Sequence, residues 1–187
     1  VTWVLRQEGL GERLRGFKLR VSSQVPVGSG LSSSAALLVS LLRGLRIALA
    51  LPLSEVELAR LARRAEVELV GAPVGIMDQL ACALCGPGAA LLLDTRSLAM
   101  QTVPLPPSLE LVVIHSGVVH SHAAGDYRTR RRECEQAAVQ LAVKSLRDLG
   151  PADLSQIMSL PEPLGRRVRH VVMENARVQA AVAALQA

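Results

Sequence analysis

The first forty residues change from alternating to helical spacing of apolar positions around a turn rich in glycine and serine. The segment GFKLRVSSQVP, residues 16–26, alternates apolar and polar side chains and ends at a proline, which predicts a half-buried strand. Residues 33–50 are largely apolar and predict a helix. The small polar residues of PVGSGLSSS, 26–34, lie between these two elements. The pattern therefore predicts a strand, a glycine turn and a helix start in succession.

Two more helices are predicted in the next 36 residues, 51–86. In LSEVELARLARRAEVELVG, Ser54 is a plausible N-cap with Glu57 three residues later, and Gly71 ends the helical spacing. The following stretch, APVGIMDQLACALCG, indicates a turn that leads into a short helix.

The remaining pattern mixes strands and helices. AALLLDTRS predicts a buried strand that ends in a turn at Asp94, and LPPSLELVVIHS predicts a proline-rich link and another strand. Helical spacing returns over residues 126–143 and 163–187. Because strands and helices do not alternate regularly, the fold class is predicted to be α+β. The composition changes at VPLPP, 103–107, which predicts lobes at 1–103 and 104–187.

Composition favours a globular chain without a nucleic-acid partner. Half of the 187 residues are apolar, which is enough for a substantial core, and the net charge of +5 gives a weak attraction to polyanions. With one Trp, one Tyr and one Phe, the chain lacks the aromatic platforms on which single-stranded nucleic acids stack. The basic cluster of Arg128, Arg130, Arg131 and Arg132 is therefore interpreted as a solvated helix face.

The cysteines and the apolar runs favour a cytoplasmic protein that makes no membrane contact. Three cysteines and no sign of a secretory signal at the start predict free thiols in a reducing compartment. Cys82 and Cys85 form a CxxC among apolar neighbours, which favours core packing over zinc binding. The continuous apolar run 35–42 is too short to cross a bilayer as a helix.

The glycine and serine turn has the chemistry of an anion site. The first amides of a helix have no partner inside the helix, and the helix dipole is positive at that end. Gly28 and Gly30 let the backbone approach a ligand closely, while Ser32, Ser33 and Ser34 offer hydroxyls to phosphate oxygens or to a metal. The stretch has neither the lysine of a Walker loop nor the third glycine of a dinucleotide fingerprint. A turn that merely caps a helix remains an equal interpretation.

A pair of carboxylates offers a second candidate constellation. Glu66 lies near the end of one predicted helix and Asp78 at the turn into the next, with a bend at Gly71 and Pro73 between them. Phosphoryl transfer uses one carboxylate to hold Mg²⁺ and another to orient or deprotonate the attacking hydroxyl. Two solvated acids at helix ends are the alternative interpretation.

Three motifs in order resemble one enzyme family. PVGSGLSSSA resembles the phosphate-binding motif of the GHMP small-molecule kinases. GAPVGIMDQ, followed by GAALLLDTRSL, resembles the galactokinases within that superfamily. HSGVVHSHAAGDYRTRRRECEQAA is similar to the galactokinase segment in which a tyrosine precedes an arginine-rich helix.

The resemblance implies a role for each matching position. The loop that would wrap the ATP phosphates consists of Gly28, Ser29, Gly30, Leu31, Ser32, Ser33 and Ser34. Ser34 and Glu66 would bind Mg²⁺, and Asp78 would be the catalytic residue that faces the sugar C1 hydroxyl. Tyr127 would contact the sugar, and Gly75 would line the same pocket.

The same resemblance implies a fold and a reaction. The fold would have two lobes, one like the second domain of ribosomal protein S5 and one the start of a ferredoxin-like lobe. The reaction would transfer the ATP γ-phosphoryl group to galactose and give galactose 1-phosphate, in a protein expected to be monomeric. The N-terminal sugar motif and the C-terminal glycine-rich motif of galactokinases have no counterpart here, so an incomplete fragment with little or no turnover of its own is expected.

Other interpretations remain open beside this one. Another GHMP sugar kinase, or a non-catalytic sensor of sugar and ATP on the same fold, would carry the same motifs. A metal cluster of His115, His120 and His122 is disfavoured, because the matching family segment holds no metal.

Overall fold

The first of two structural units contains four α-helices and a short hairpin in its described residues. The computed structural model describes residues 1–114, 123–157 and 159–187. The chain divides into one unit of Val1–His120 and a second of Ser121–Ala187. The helices of the first unit are α1, Thr2–Gln7, α2, Ser33–Leu49, α3, Glu55–Ala65, and α4, Met77–Leu84. A π-helical turn, Glu66–Val70, continues α3, and the hairpin strands are β1, Ala89–Leu93, and β2, Met100–Pro104.

The core of the first unit forms where α2, α3 and α4 pack together. Buried positions recur along α2 at Ala35, Val39, Leu42 and Leu45, a spacing that places them on one helix face. Val39, Leu42 and Leu45 pack in one cluster with buried residues of α3 and with Leu80 of α4. Each helix is thus formed by the burial of its apolar stripe, which is the main source of helix stability in proteins.

The beginning of α3 is closed by its own side chains. The amide of Glu57 donates to the Ser54 hydroxyl over 3.3 Å, and the Glu57 carboxylate accepts from the Ser54 amide over 2.7 Å. This arrangement is the predicted capping box. Hydrogen bonds from the hydroxyl and then from the amide of Ser54 hold the pKa of Glu57 below its usual range.

An ion-pair network joins the same three helices at a distance from the loop. Arg43 of α2 donates to Glu55 of α3 at 2.8 Å and also to the carbonyl of Ala83 in α4. Arg46 pairs with the other oxygen of Glu55 at 2.8 Å. Burial acts to raise the pKa of Glu55, but the hydrogen bonds from Arg43 and Arg46 outweigh it, so that pKa lies below its usual value.

The hairpin pairs β1 with β2 in an antiparallel register that sets Ala89 opposite Pro104 and Leu93 opposite Met100. The connecting turn is built on Asp94, whose Oδ1 accepts from the amides of Arg96, at 2.8 Å, and Ser97, at 3.1 Å. The prediction of a strand that ends in a turn at Asp94 is confirmed, but the strand is half-buried along its length rather than buried.

The second unit is helical in its described residues. It contains α5, Ala123–Gln140, two short 3-10 turns, α6, Leu154–Ile157, and α7, Leu164–Gln186. Its buried core includes Ala137 of α5, Ile157 of α6 and Val168 of α7. Arg167 of α7 donates to Glu133 of α5 over 2.6 Å. The predictions of helices over 126–143 and 163–187 are confirmed.

Two predicted strands are wrong. Residues 16–24 are not in a strand, and their alternating apolar side chains are solvent-exposed, with Phe17 50% and Val21 57% exposed. Residues 108–114 of the second predicted strand are also irregular, and Ile114 is 85% exposed. Alternation describes one face of a strand, but a strand forms only where a neighbour supplies hydrogen bonds, and the described residues place no such neighbour beside these segments.

The sequence analysis also missed β2, since VPLPP, 103–107, was interpreted as the boundary between two lobes. The sequence prediction of lobes at 1–103 and 104–187 stays a prediction. The chain divides into its two structural units after His120. Helices combined with a small antiparallel sheet confirm the α+β class. No helix in the described parts of the chain is long and apolar enough to span a bilayer.

The capping box gives a test of how α3 is stabilised. Ser54→Ala removes the hydroxyl from both of its hydrogen bonds and should lower the free energy of unfolding by about 1 kcal/mol. Because the folded pKa of Glu57 is depressed, its contribution is present above its unfolded pKa and is lost as the pH falls. The free energies of unfolding of Ser54→Ala and wild type should therefore become more similar below about pH 4. Urea unfolding followed by circular dichroism measures it.

Ser40→Ala is the matched control for this variant. Ser40 is an exposed serine inside α2, where alanine is the better helix former, so the free energy of unfolding should be unchanged or slightly raised. Equal losses in the two variants would contradict the role assigned to the cap.

Candidate functional site

The loop before α2 has a backbone that depends on its glycines. Gly28 and Gly30 have φ values of 74° and 78°, and Ser32 adopts the left-handed conformation with φ 54°. Glycine takes such angles without strain, whereas serine does so at a cost. The loop is largely solvent-exposed, and the Ser29 hydroxyl donates to the Pro26 carbonyl across 2.9 Å. The strain at Ser32 lies at the junction where the loop enters α2.

The beginning of α2 contrasts with the capped beginning of α3. Ser32 is the N-cap residue of α2 but makes no side-chain cap hydrogen bond, and the first turn of α2 contains no acidic residue. The first bond within this helix runs from the Ala36 amide to the Ser32 carbonyl at 3.0 Å, so the preceding amides have no partner inside the helix. These amides and the positive end of the helix dipole suit an anionic ligand.

A buried carboxylate joins the loop to the two other helices. The Ser34 hydroxyl at the surface donates to Oε1 of Glu66 over 2.7 Å. Gln79 of α4 donates from Nε2 to Oε2 of the same carboxylate over 2.7 Å. Glu66 is 7% exposed, and its two oxygens are each held by one donor from a different helix. Ser34 and Glu66, which the family resemblance implies as ligands of one Mg²⁺ ion, therefore lie in direct contact.

Glu66 lies at an irregular point of its helix. It is the C-cap residue of α3 and the first residue of the π-helical turn Glu66–Val70, which ends at Gly71 with φ 75°. Such turns widen a helix locally and often occur at functional sites. The sequence predicted one continuous helix to Gly71 and missed the π turn.

The segment that follows places the second carboxylate. Arg63 of α3 donates to the Val74 carbonyl over 3.2 Å and so attaches the connection that contains Gly75. Asp78 is the second residue of α4, is half-buried, and precedes Gln79 directly. Burial raises the pKa of the nearby Cys82 thiol, and the negative charge of Asp78 raises it further.

Sequence reasoning missed Gln79 and Arg63. Gln79 is the last letter of the GAPVGIMDQ motif, and a signal was present because a polar residue stands at a position that helical spacing buries. Arg63 left no such signal, since a hydrogen bond to a main-chain carbonyl has no sequence pattern.

Other predicted positions belong to the second unit or lie outside the described residues. Tyr127 belongs to α5 in the second unit and is exposed. His115, His120 and His122 lie outside the described residues. Among the residues that the structure does describe, no three His, Cys, Asp or Glu side chains come together as a metal site. Cys82, Cys85 and Cys134 are free thiols.

Comparisons with known proteins agree with this architecture. Residues 1–86 match the family described as GHMP kinases N terminal domain. The chain is 46% identical to a galactokinase of Streptomyces coelicolor over 192 aligned residues, which cover 100% of the chain and 49% of that protein. It is 41% identical to a galactokinase of Mycobacterium tuberculosis strain H37Rv, over 98% of the chain and 51% of that protein.

A solved structure gives the same result at the level of fold. The crystal structure of Lactococcus lactis galactokinase complexed with galactose matches with a TM-score of 0.81 and 24% identity, over 98% of this chain and 49% of that chain. This likeness confirms the predicted GHMP-kinase-like fold. The chain spans about half the length of the relatives it matches. Residues 1–86 are similar to the N-terminal domain of GHMP kinases, and over its whole length the chain is similar to about half of a galactokinase.

Proposed function

We propose that the chain carries the phosphoryl-transfer machinery of a sugar kinase, which transfers the γ-phosphoryl group of ATP to the C1 hydroxyl of galactose and gives galactose 1-phosphate. The observation that carries the proposal is the Ser34 to Glu66 hydrogen bond of 2.7 Å beside the uncapped beginning of α2. Identity of 46% and 41% to galactokinases supports galactose as the substrate.

The loop of residues 28–34 would bind the ATP phosphates. Its glycines keep the backbone free of side chains, and the amides at the beginning of α2 are not closed by a cap. A helix beginning of this kind binds phosphate through main-chain donors and the dipole together. The serine hydroxyls can add donors to the phosphate oxygens.

The Ser34 and Glu66 oxygens suit Mg²⁺. This ion prefers oxygen ligands and in nucleotide sites is held by one or two protein groups together with phosphates and water. Glu66 is a buried acid whose two described hydrogen bonds come from the neutral groups Ser34 and Gln79, so its charge has no cation among those partners. Bound Mg²⁺ would supply the positive charge that Glu66 lacks among these partners, and it would neutralise the transferring phosphoryl group.

Asp78 would act on the sugar. Its carboxylate lies in the first turn of α4, whose place relative to Glu66 is fixed by the Gln79 contact. In this proposal Asp78 accepts or steers the proton of the attacking C1 hydroxyl while the loop holds the phosphates. Gly75, in the connection held by Arg63, would line the same pocket, and Tyr127 would contact the sugar.

The cell compartment and the assembly state are further parts of the proposal. Free thiols at Cys82, Cys85 and Cys134 are typical of a reducing compartment, which supports a cytoplasmic enzyme. We propose a monomer that binds ATP and galactose without nucleic acid. The exposed arginines of α5 are consistent with a solvated face, and Arg131 pairs with Glu135 at 3.0 Å on that helix.

Amide hydrogen exchange tests the nucleotide site directly. Mg²⁺ATP should slow the exchange of the Ser33, Ser34 and Ala35 amides, because the phosphates would become their hydrogen-bond acceptors. The amides in the first turn of α3 are the internal control, since the capping box already closes that turn. Protection by an oligonucleotide that fades with added salt, with none by Mg²⁺ATP, would favour nucleic-acid binding instead.

The second test addresses the chemical step in the complete gene product that contains these residues. Asp78→Asn keeps the size of the side chain but removes the proton acceptor, so kcat for galactose phosphorylation should fall by about 10³-fold while Mg²⁺ATP affinity stays within about twofold. Asp153→Asn is the control, because Asp153 accepts from the Gly150 amide in the second unit. Steady-state kinetics and calorimetry provide the two readouts.

The outcomes separate the alternatives. Unchanged turnover in Asp78→Asn would remove Asp78 from the mechanism. Tight binding of ATP and sugar without turnover in the wild-type gene product would favour a sensor, and turnover of a different sugar in preference to galactose would favour another GHMP sugar kinase.

A further inference from the structure

The most buried polar side chain described in the first unit carries an unpaired atom. Gln79 is 1% exposed, and its Nε2 donates to Glu66. Its Oε1 is buried and has no hydrogen-bond partner. A buried amide oxygen without a donor is destabilising, and the cost falls on the residue that reaches the buried carboxylate.

The amide must lie with its nitrogen toward Glu66. A carboxylate only accepts hydrogen bonds, so the reversed amide would set oxygen against oxygen across 2.7 Å. In this orientation one Nε2 hydrogen of Gln79 binds Oε2 of Glu66, and Oε1 of Glu66 accepts from Ser34. The unpaired oxygen of Gln79 is thus a consequence of keeping the carboxylate in one orientation.

We propose that Gln79 is a positioning residue that fixes the orientation of Glu66 for the metal and nucleotide and keeps it in register with Asp78. The inference rests on the proposed function. Gln79 and Asp78 are consecutive in α4, so the hydrogen bond to Glu66 ties the helix that carries the proposed base to the carboxylate proposed to hold Mg²⁺. Partners behind a metal ligand commonly change metal affinity by 10–100-fold when they are replaced.

The test measures metal binding rather than turnover. In the complete gene product, Mn²⁺ binding in the presence of a non-hydrolysable ATP analogue is followed by electron paramagnetic resonance without galactose. Gln79→Met keeps the length and removes both polar atoms, and it should weaken Mn²⁺ binding by about tenfold or more. Gln79→Asn keeps the amide but withdraws it by one methylene, and it should change binding in the same direction.

A double-mutant cycle shows whether Gln79 acts through Glu66. Glu66→Gln alone should weaken Mn²⁺ binding, and adding Gln79→Met to it should change the affinity by no more than about twofold. Leu80→Val, at the fully buried neighbouring position, is the control. It should lower the thermal midpoint and leave Mn²⁺ binding unchanged.

The outcomes distinguish a failure of the proposed function from a failure of the positioning role of Gln79. If the wild-type protein binds no Mn²⁺ with the analogue, the proposed function fails. If the wild type binds and both Gln79 variants bind equally well, or if the effects of Gln79→Met and Glu66→Gln are additive, the positioning role is overturned. A loss of affinity in Leu80→Val that matches that of Gln79→Met would also overturn it.

Discussion

The first unit is organised around one buried charge, the carboxylate of Glu66. Removing a carboxylate from water is expensive unless hydrogen bonds replace the lost solvation. Ser34 from α2 and Gln79 from α4 each supply one hydrogen bond of 2.7 Å, and Glu66 itself stands at the end of α3. The three helices that build the core therefore also meet at a polar point, and a shift of any one of them would leave part of that charge unsolvated.

The beginnings of α2 and α3 show how serine at the same helix position can have different roles. Ser54 closes α3 through a complete capping box, whereas Ser32 stands at the same position of α2 in a strained conformation and caps nothing. Caps are worth about 1 kcal/mol each, so an uncapped and strained helix beginning sacrifices stability. This loss of stability is explained if a ligand binds the unpaired amides at the beginning of α2. Ser34 in the same turn donates a hydrogen bond to the buried carboxylate of Glu66.

The sequence predicted α2, α3, α4, α5 and α7 because their signals are local, whereas it missed the short helices α1 and α6. The cap at Ser54, the stop at Gly71 and the apolar spacing of α7 need only neighbouring residues. The strands predicted within 16–26 and 108–114 are wrong because pairing depends on a distant partner that no local pattern reveals. Within the site, the pairing of Ser34 with Glu66 came from the family resemblance. The family resemblance did not predict the hydrogen bond from Gln79 to Glu66, since that contact depends on how α4 packs.

The residues proposed to act on the nucleotide and the proton lie in one unit, and the proposed sugar contact of Tyr127 lies in the other. The loop proposed to bind phosphate, Glu66 and Asp78 all lie in residues 28–78, within one unit and within the part that matches the GHMP kinase domain. Tyr127, the proposed sugar contact, lies in the other unit. The groups proposed to handle the nucleotide and the proton thus share one unit, so loss of the hydrogen bonds that Ser34 and Gln79 make to Glu66 should disturb phosphoryl transfer to every sugar. Discrimination among sugars, by contrast, can vary with residues outside that core, because differences between substrates are set by a few contacts with the substrate itself.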